Sequence, residues 1–104
     1  MTPPTTAEAL RRIADALEAI PGLPPAEVSV YSHGTVSVMF LHHADEIARS
    51  TAVDMLAAVI SLDPAKSYEI DARPWYGTEG TVGGLHIEIC APDCTVVRLA
   101  PVSA

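Results

Sequence analysis

From Leu10 to Leu99 the apolar residues change spacing repeatedly, from the three-and-four period of a helix to the alternation of a strand and back. Few folds accommodate that order, because every element must bury its own apolar face against another. Thr5-Thr6-Ala7-Glu8 has the form of a capping box, and Leu10, Ile13, Ala14, Leu17 and Ile20 then share one helical stripe. Pro21-Gly22 stops this helix and Pro24-Pro25 keeps the exit extended.

Two strands follow, Glu27 to Tyr31 and Thr35 to Leu41, and hydrophobic parity sets their register. A two-residue turn at His33-Gly34 would mix the faces. A three-residue loop, Ser32-His33-Gly34, instead pairs Val30 with Val36 and Val28 with Val38, leaving Gly34 the left-handed position. The predicted core face is Val28, Val30, Val36, Val38 and Phe40.

A second helix is predicted from Asp45 to Leu62, with Ala48, Ala52, Met55, Leu56 and Val59 as its main stripe, widened by Val53 and Ile60. Asp63-Pro64 ends it. Ser67 to Arg73 alternates as a third strand that Pro74 ends or confines to an edge. Trp75 to Gly84, with glycines at 77, 80, 83 and 84, reads as a mobile loop or bulged connection. Parity then pairs a fourth strand, Leu85 to Cys90, with a fifth, Thr95 to Val102, around Ala91-Pro92-Asp93.

The order α-β-β-α-β-β-β predicts an α+β two-layer sandwich, a mainly antiparallel sheet with both helices on one face. Its 104 residues make one domain, 1–104, with 1–4 expected to be flexible.

The net charge is −7, and Lys66 is the sole lysine. An acidic surface without a basic stripe disfavours direct nucleic-acid binding. No apolar run approaches the ~20 residues that span a bilayer. Met1 to Glu8 lacks the basic-then-apolar pattern of a secretory signal, so no membrane is expected and the expected location is the cytoplasm.

Three clusters bear on chemistry. His86, Cys90 and Cys94 form a His-x3-Cys-x3-Cys pattern, and the predicted register sets the two cysteines across from one another. Zinc in a closed structural site takes four ligands and only three are found here, so two reduced thiols are expected ahead of a disulfide or a metal site. His42-His43 lies at a strand–helix junction, where adjacent extended residues point apart. Gly77 to Gly84 lacks both the lysine and the following helix of a phosphate loop. Glu69 and Asp71 share a strand face with Arg73 as a solvated surface, and no nucleophile–base arrangement can be assembled. No cofactor is expected.

The face opposite the helices is richer in apolar groups than a solvent face needs to be. It is predicted to carry Tyr31, Met39, Leu41, Cys90, Cys94 and Val96, with Trp75 at its margin and Glu69, Asp71, Arg73, His86, Glu88 and Arg98 interspersed. Such patches mark interfaces, and aromatics with arginine are frequent anchors. The expected function is a non-catalytic accessory protein that binds a protein partner or a second copy, chiefly through Tyr31, Met39, Trp75, Val96 and Arg98. Alternatives are an acidic, phage-type inhibitor that occupies a basic site, and a small-molecule or metal-binding domain built on His86, Cys90 and Cys94.

Leu23-Pro24-Pro25-Ala26-Glu27-Val28-Ser29-Val30 after an amphipathic helix, the alanine-rich second helix, and the strands around Trp75 and Gly83-Gly84 resemble small uncharacterised proteins of actinobacterial chromosomes and mobile elements. The resemblance implies a high-GC bacterial or phage origin and an accessory role, and it assigns no functional residue.

Overall fold

The computed structural model describes residues 6–41 and 44–95. Among them the chain forms helices α1 (Thr6–Ala19) and α2 (Glu46–Val59) and strands β1 (Glu27–Val30), β2 (Thr35–Met39), β3 (Lys66–Ile70), β4 (Arg73–Val82) and β5 (Leu85–Pro92). The strands build one sheet in the order β1-β2-β5-β4-β3. Every pairing is antiparallel except β2 with β5. Both helices pack on one face, so the α+β sandwich expected from the periodicity is the observed architecture.

The first hairpin has the register that parity requires, Val28 opposite Val38 and Val30 opposite Val36. The shared core face does not extend as far as expected. Val36, Val38 and Phe40 are buried, whereas Val28 and Val30, on the sheet edge, are 39% and 47% exposed. Of the two helices, α1 packs chiefly on β2 and α2 on β4 and β5, so the helix layer is centred away from β1.

Both helices are also rotated from their expected stripes. α1 buries Ala9, Ile13 and Ala16, with Ile20 buried just past its end, while Leu10 and Ala14 are exposed. Asp45 caps α2, accepting a hydrogen bond from the Ala48 N–H at 2.7 Å. α2 turns Arg49, Ala52, Val53, Leu56 and Ala57 inward, while Met55 and Val59 stay exposed. In both helices alanines occupy part of the sheet-facing side, where a small side chain permits close approach of backbone to sheet.

The larger correction concerns 71–92. The third strand ends at Ile70, and Asp71-Ala72 make a two-residue turn with φ of 51° and 64°. The segment expected to be a loop is instead β4, the longest strand, which ends at a second tight turn, Gly83-Gly84, with φ of 60° and 86°. Two consecutive left-handed residues match the right-handed twist of a hairpin, so these turns convert the segment into a three-stranded meander. β5 does not turn at Ala91-Pro92, and the chain turns only at Asp93, with φ of 49°. The strand continues extended to Pro92, with Ala91 opposite Tyr76 and Pro92 opposite Trp75. The fifth strand predicted from Thr95 to Val102 falls, beyond Thr95, outside the described residues, as do His42, His43, Val96 and Arg98.

β5 occupies the middle of the sheet, between a parallel and an antiparallel neighbour. Its residues Ile87, Ile89 and Ala91 enter the core beneath the helices, and the alternate residues His86, Glu88 and Cys90 therefore point to the open face.

Candidate functional site

Alternation places Thr35, Ser37 and Met39 of β2, Lys66, Tyr68 and Ile70 of β3, and Trp75, Gly77, Glu79 and Thr81 of β4 on that open face with His86, Glu88 and Cys90. The face is concave. A groove of about 590 Å³ crosses it from Tyr31 and Met39 on one side to Tyr68, Ile70 and Trp75 on the other. Gly77 and Cys90, direct cross-strand partners, line it between these walls. Tyr68 and Trp75 stack with ring centroids 6.2 Å apart. Tyr31 stacks on His33 at 5.5 Å beside the opposite end. Asp63, Glu79 and Glu88 against Lys66 make the lining predominantly acidic.

The structure thus brings Tyr31, Met39, Trp75 and Cys90 together as expected and adds Tyr68 and Ile70. The alternation of Tyr68 and Ile70 was visible in the sequence, but their side of the sheet depended on the turn at Asp71-Ala72. Glu69 lies on the opposite face and Asp71 in that turn, so these carboxylates do not flank Arg73 on one strand. Arg73 instead makes a bidentate ion pair with Asp93.

The cysteines do not face each other. Both are free thiols, Cys90 on the groove and Cys94 behind the end of β5, where its Sγ donates to the Glu46 carbonyl at 3.5 Å and its N–H to the Pro74 carbonyl. The His86, Cys90, Cys94 grouping is therefore not assembled. The cause is the continuation of β5 past Cys90, which carries Cys94 off the sheet face. In its place Glu79, His86 and Glu88 cluster, each offering one ligand atom, all within 4.8 Å of one another. Their meeting requires β4 to run beside β5, which reading 75–84 as a loop concealed.

Burial and then the charge of Glu88 push the Cys90 thiol from 9.0 up to about 11, against a lowering effect of the neighbouring Ser37 and Tyr68 hydroxyls. Burial likewise raises the Tyr68 hydroxyl, reinforced by the charges of Cys90, Glu88 and Glu79. Cys94 is also raised, chiefly by burial, with the Arg49 charge opposing. A thiol held protonated is a poor nucleophile. Cys90 should alkylate slowly with iodoacetamide at pH 8 and faster as pH approaches 11; rapid labelling of the folded protein at pH 8 would contradict the buried assignment. The linkage has a fixed sign. The unfolded chain loses this proton near pH 9 and the folded chain only near 11. Stability is full below pH 9 and falls as pH rises toward 11. Cys90→Ala should flatten that decline in urea titrations.

No helix among the described residues is long and apolar enough to cross a membrane. Comparison of the chain with protein families, curated proteins and solved structures gives no match. The fold and the groove define the molecule as a small α+β domain with one open, concave sheet face.

Proposed function

We propose that this chain is a non-catalytic interaction protein that holds a protein partner in the groove on its open sheet face. The observation that carries the reading is the groove itself: aromatic and aliphatic walls, Tyr68 on Trp75 and Met39 beside Tyr31, set around an acidic lining. Apolar concavities rimmed by polar groups are the usual form of a binding surface, and aromatic residues are its usual anchors. The complementary partner presents a basic side chain among apolar ones, the cation drawn by Glu79, Glu88 and the overall charge of −7. A protonated Cys90 thiol argues against nucleophilic chemistry in the groove.

Self-association belongs to an edge strand rather than to the groove. Stacking two copies face to face about a two-fold axis would bring acidic linings together. Among the described residues β1 is an edge strand with no strand beyond it, and Val28 and Val30 are exposed on it. A composition with one lysine and abundant alanine and proline fits a cytoplasmic accessory factor of a high-GC bacterium or its phage.

Trp75→Asp is the decisive variant, since Trp75 stands half-buried on the groove wall. Tagged wild-type and variant chains are used to capture proteins from host lysate at low and high salt, with mass spectrometry as the readout. A partner bound by the wild type should be lost from the variant, by a factor of about 30 or more for an anchor contributing at least ~2 kcal/mol. The melting temperature should remain that of the wild type. Equal capture by both chains would sink the groove reading. Binding that collapses between low and high salt would favour the acidic-inhibitor form, in which charge dominates the complex.

A further inference from the structure

Three ionisable side chains on the open face have the make-up of a metal's ligand set, and two of them are the carboxylates to which a partner's basic side chain is otherwise drawn. Glu79 of β4 and Glu88 of β5 are direct cross-strand partners, and His86 lies two residues before Glu88 on the same face. Like charges directly opposite one another on a sheet repel, so two carboxylates in this register call for a cation between them. The imidazole, when protonated, makes an ion pair with Glu79, so it answers one of the two carboxylates. His86 Nε2 lies 3.4 Å from Glu79 Oε2, longer than the about 2.8 Å of a charge-assisted hydrogen bond. Two ligands bound about 2.1 Å from a tetrahedral zinc ion stand roughly 3.4 Å apart, which is the separation found.

A second observation lies in the same row of the sheet. Ser37 of β2 is the partner of Glu88 on its other side, so Ser37, Glu88 and Glu79 follow one another across three strands. Ser37 is only 1% exposed, and beyond the Cys90 thiol beside it, a weak acceptor, its hydroxyl meets no hydrogen-bond partner of ordinary geometry among the described residues. Buried hydroxyls are ordinarily paired. Metal-bound carboxylates are ordinarily held from behind by such a donor. A Glu88 carboxylate with one oxygen on an ion would offer its other oxygen to Ser37.

We propose that Glu79, His86 and Glu88 bind a divalent first-row transition-metal ion of the zinc or cobalt class, with Ser37 orienting Glu88. One nitrogen and two carboxylate oxygens suit these ions better than calcium or magnesium, which take oxygen ligands throughout. Three protein ligands leave a coordination position open toward the groove, which Glu79 and Glu88 also line.

The test uses the full chain without an affinity tag, stripped of metal, titrated with ZnCl2 by calorimetry and with CoCl2 by visible absorption. One ion per chain is expected, with cobalt ligand-field bands and no thiolate charge-transfer band. His86→Ala and Glu88→Gln should each weaken zinc binding by at least about 100-fold, and Ser37→Ala by about 10-fold, within the range for outer-shell partners. Cys90→Ala and Cys94→Ala should leave the affinity unchanged. Glu79, His86 and Glu88 are exposed or half-buried, so the metal-free variants at 86 and 88 should melt with the wild type. Wild-type affinity no greater than that of His86→Ala, or binding that follows the cysteines, would overturn the assignment.

Discussion

Arg49→Met should lower the stability of this protein by about 3 kcal/mol, the summed cost of leaving one buried and two part-buried carbonyls unpaired less the relief of a buried charge. Arg49 is 3% exposed, although a charged residue is seldom buried so completely. Its guanidinium compensates by spreading its donors. Nε bonds the Ala44 carbonyl at 3.1 Å, one terminal nitrogen the Pro92 carbonyl at 2.5 Å and the other the Asp93 carbonyl at 3.4 Å. One side chain thereby joins the entry of α2 to the end of β5, where the chain leaves the sheet. Methionine keeps most of the buried aliphatic volume and removes all the donors, so the variant isolates the polar contribution. The melting temperature should fall by roughly 12–24 °C, at 4–8 °C per kcal/mol for a domain of this size. Arg49→Lys, with a point charge that cannot span three acceptors, should fall between the two. Urea unfolding of Arg49→Met within about 0.5 kcal/mol of the wild type, the range of an ordinary surface substitution, would refute this account.

Arg49 also marks a limit of sequence reading. Periodicity recovers both helices and predicts a buried stripe, but a hydrophobic stripe is drawn from hydrophobic residues. It favours Met55 and Val59, both exposed, over an arginine. The acceptors that make burial of Arg49 tolerable lie 43 and 44 residues away, and nothing local announces them. The β1–β2 register was legible because only one loop length aligns the valines. The meander was not. Alanine seldom adopts positive φ, so Asp71-Ala72 carries only half of a hairpin signal. β4 contains Pro74, Gly77 and Gly80, which argue against a strand on propensity. With β4 missing, β5 had no antiparallel partner except the segment that follows it, and from that single substitution came the displaced hairpin, the facing cysteines and the wrong ligand set. Tyr31, Met39, Trp75 and Cys90 were still found because each lies on the open face under either arrangement.

The glycines that obscured β4 are also what allows it to pair closely, and this yields the second large effect. A Cβ placed on Gly77 would lie 2.5 Å from the Ile89 carbonyl oxygen and 2.9 Å from Cys90 Cβ. Both obstacles belong to β5, the central strand, and a backbone carbonyl cannot swing aside as a side-chain tip can. Gly77→Ala must therefore push β4 away from β5 or tilt the peptide, breaking ladder hydrogen bonds on either side. Overpacking costs about 1–3 kcal/mol, and the rigid neighbour places this case at the upper end. The roughly 0.5–1 kcal/mol that alanine ordinarily gains over glycine within a strand only partly offsets it. A net loss of about 2 kcal/mol should lower the melting temperature by roughly 8–16 °C. Gly80→Ala is the internal control: its Cβ would meet only Leu62 Cδ2, at 2.8 Å, the end of a side chain that can rotate away. That variant should stay within about 1 kcal/mol of the wild type, since flexible neighbours relieve overpacking. The pair is measured by thermal denaturation followed by circular dichroism. If both alanines cost the same, the close approach at Gly77 is not what fixes the strands. If only Gly77→Ala is damaging, the missing side chain is a requirement of the groove, because the contact that forbids it lets Cys90 sit low between the aromatic walls.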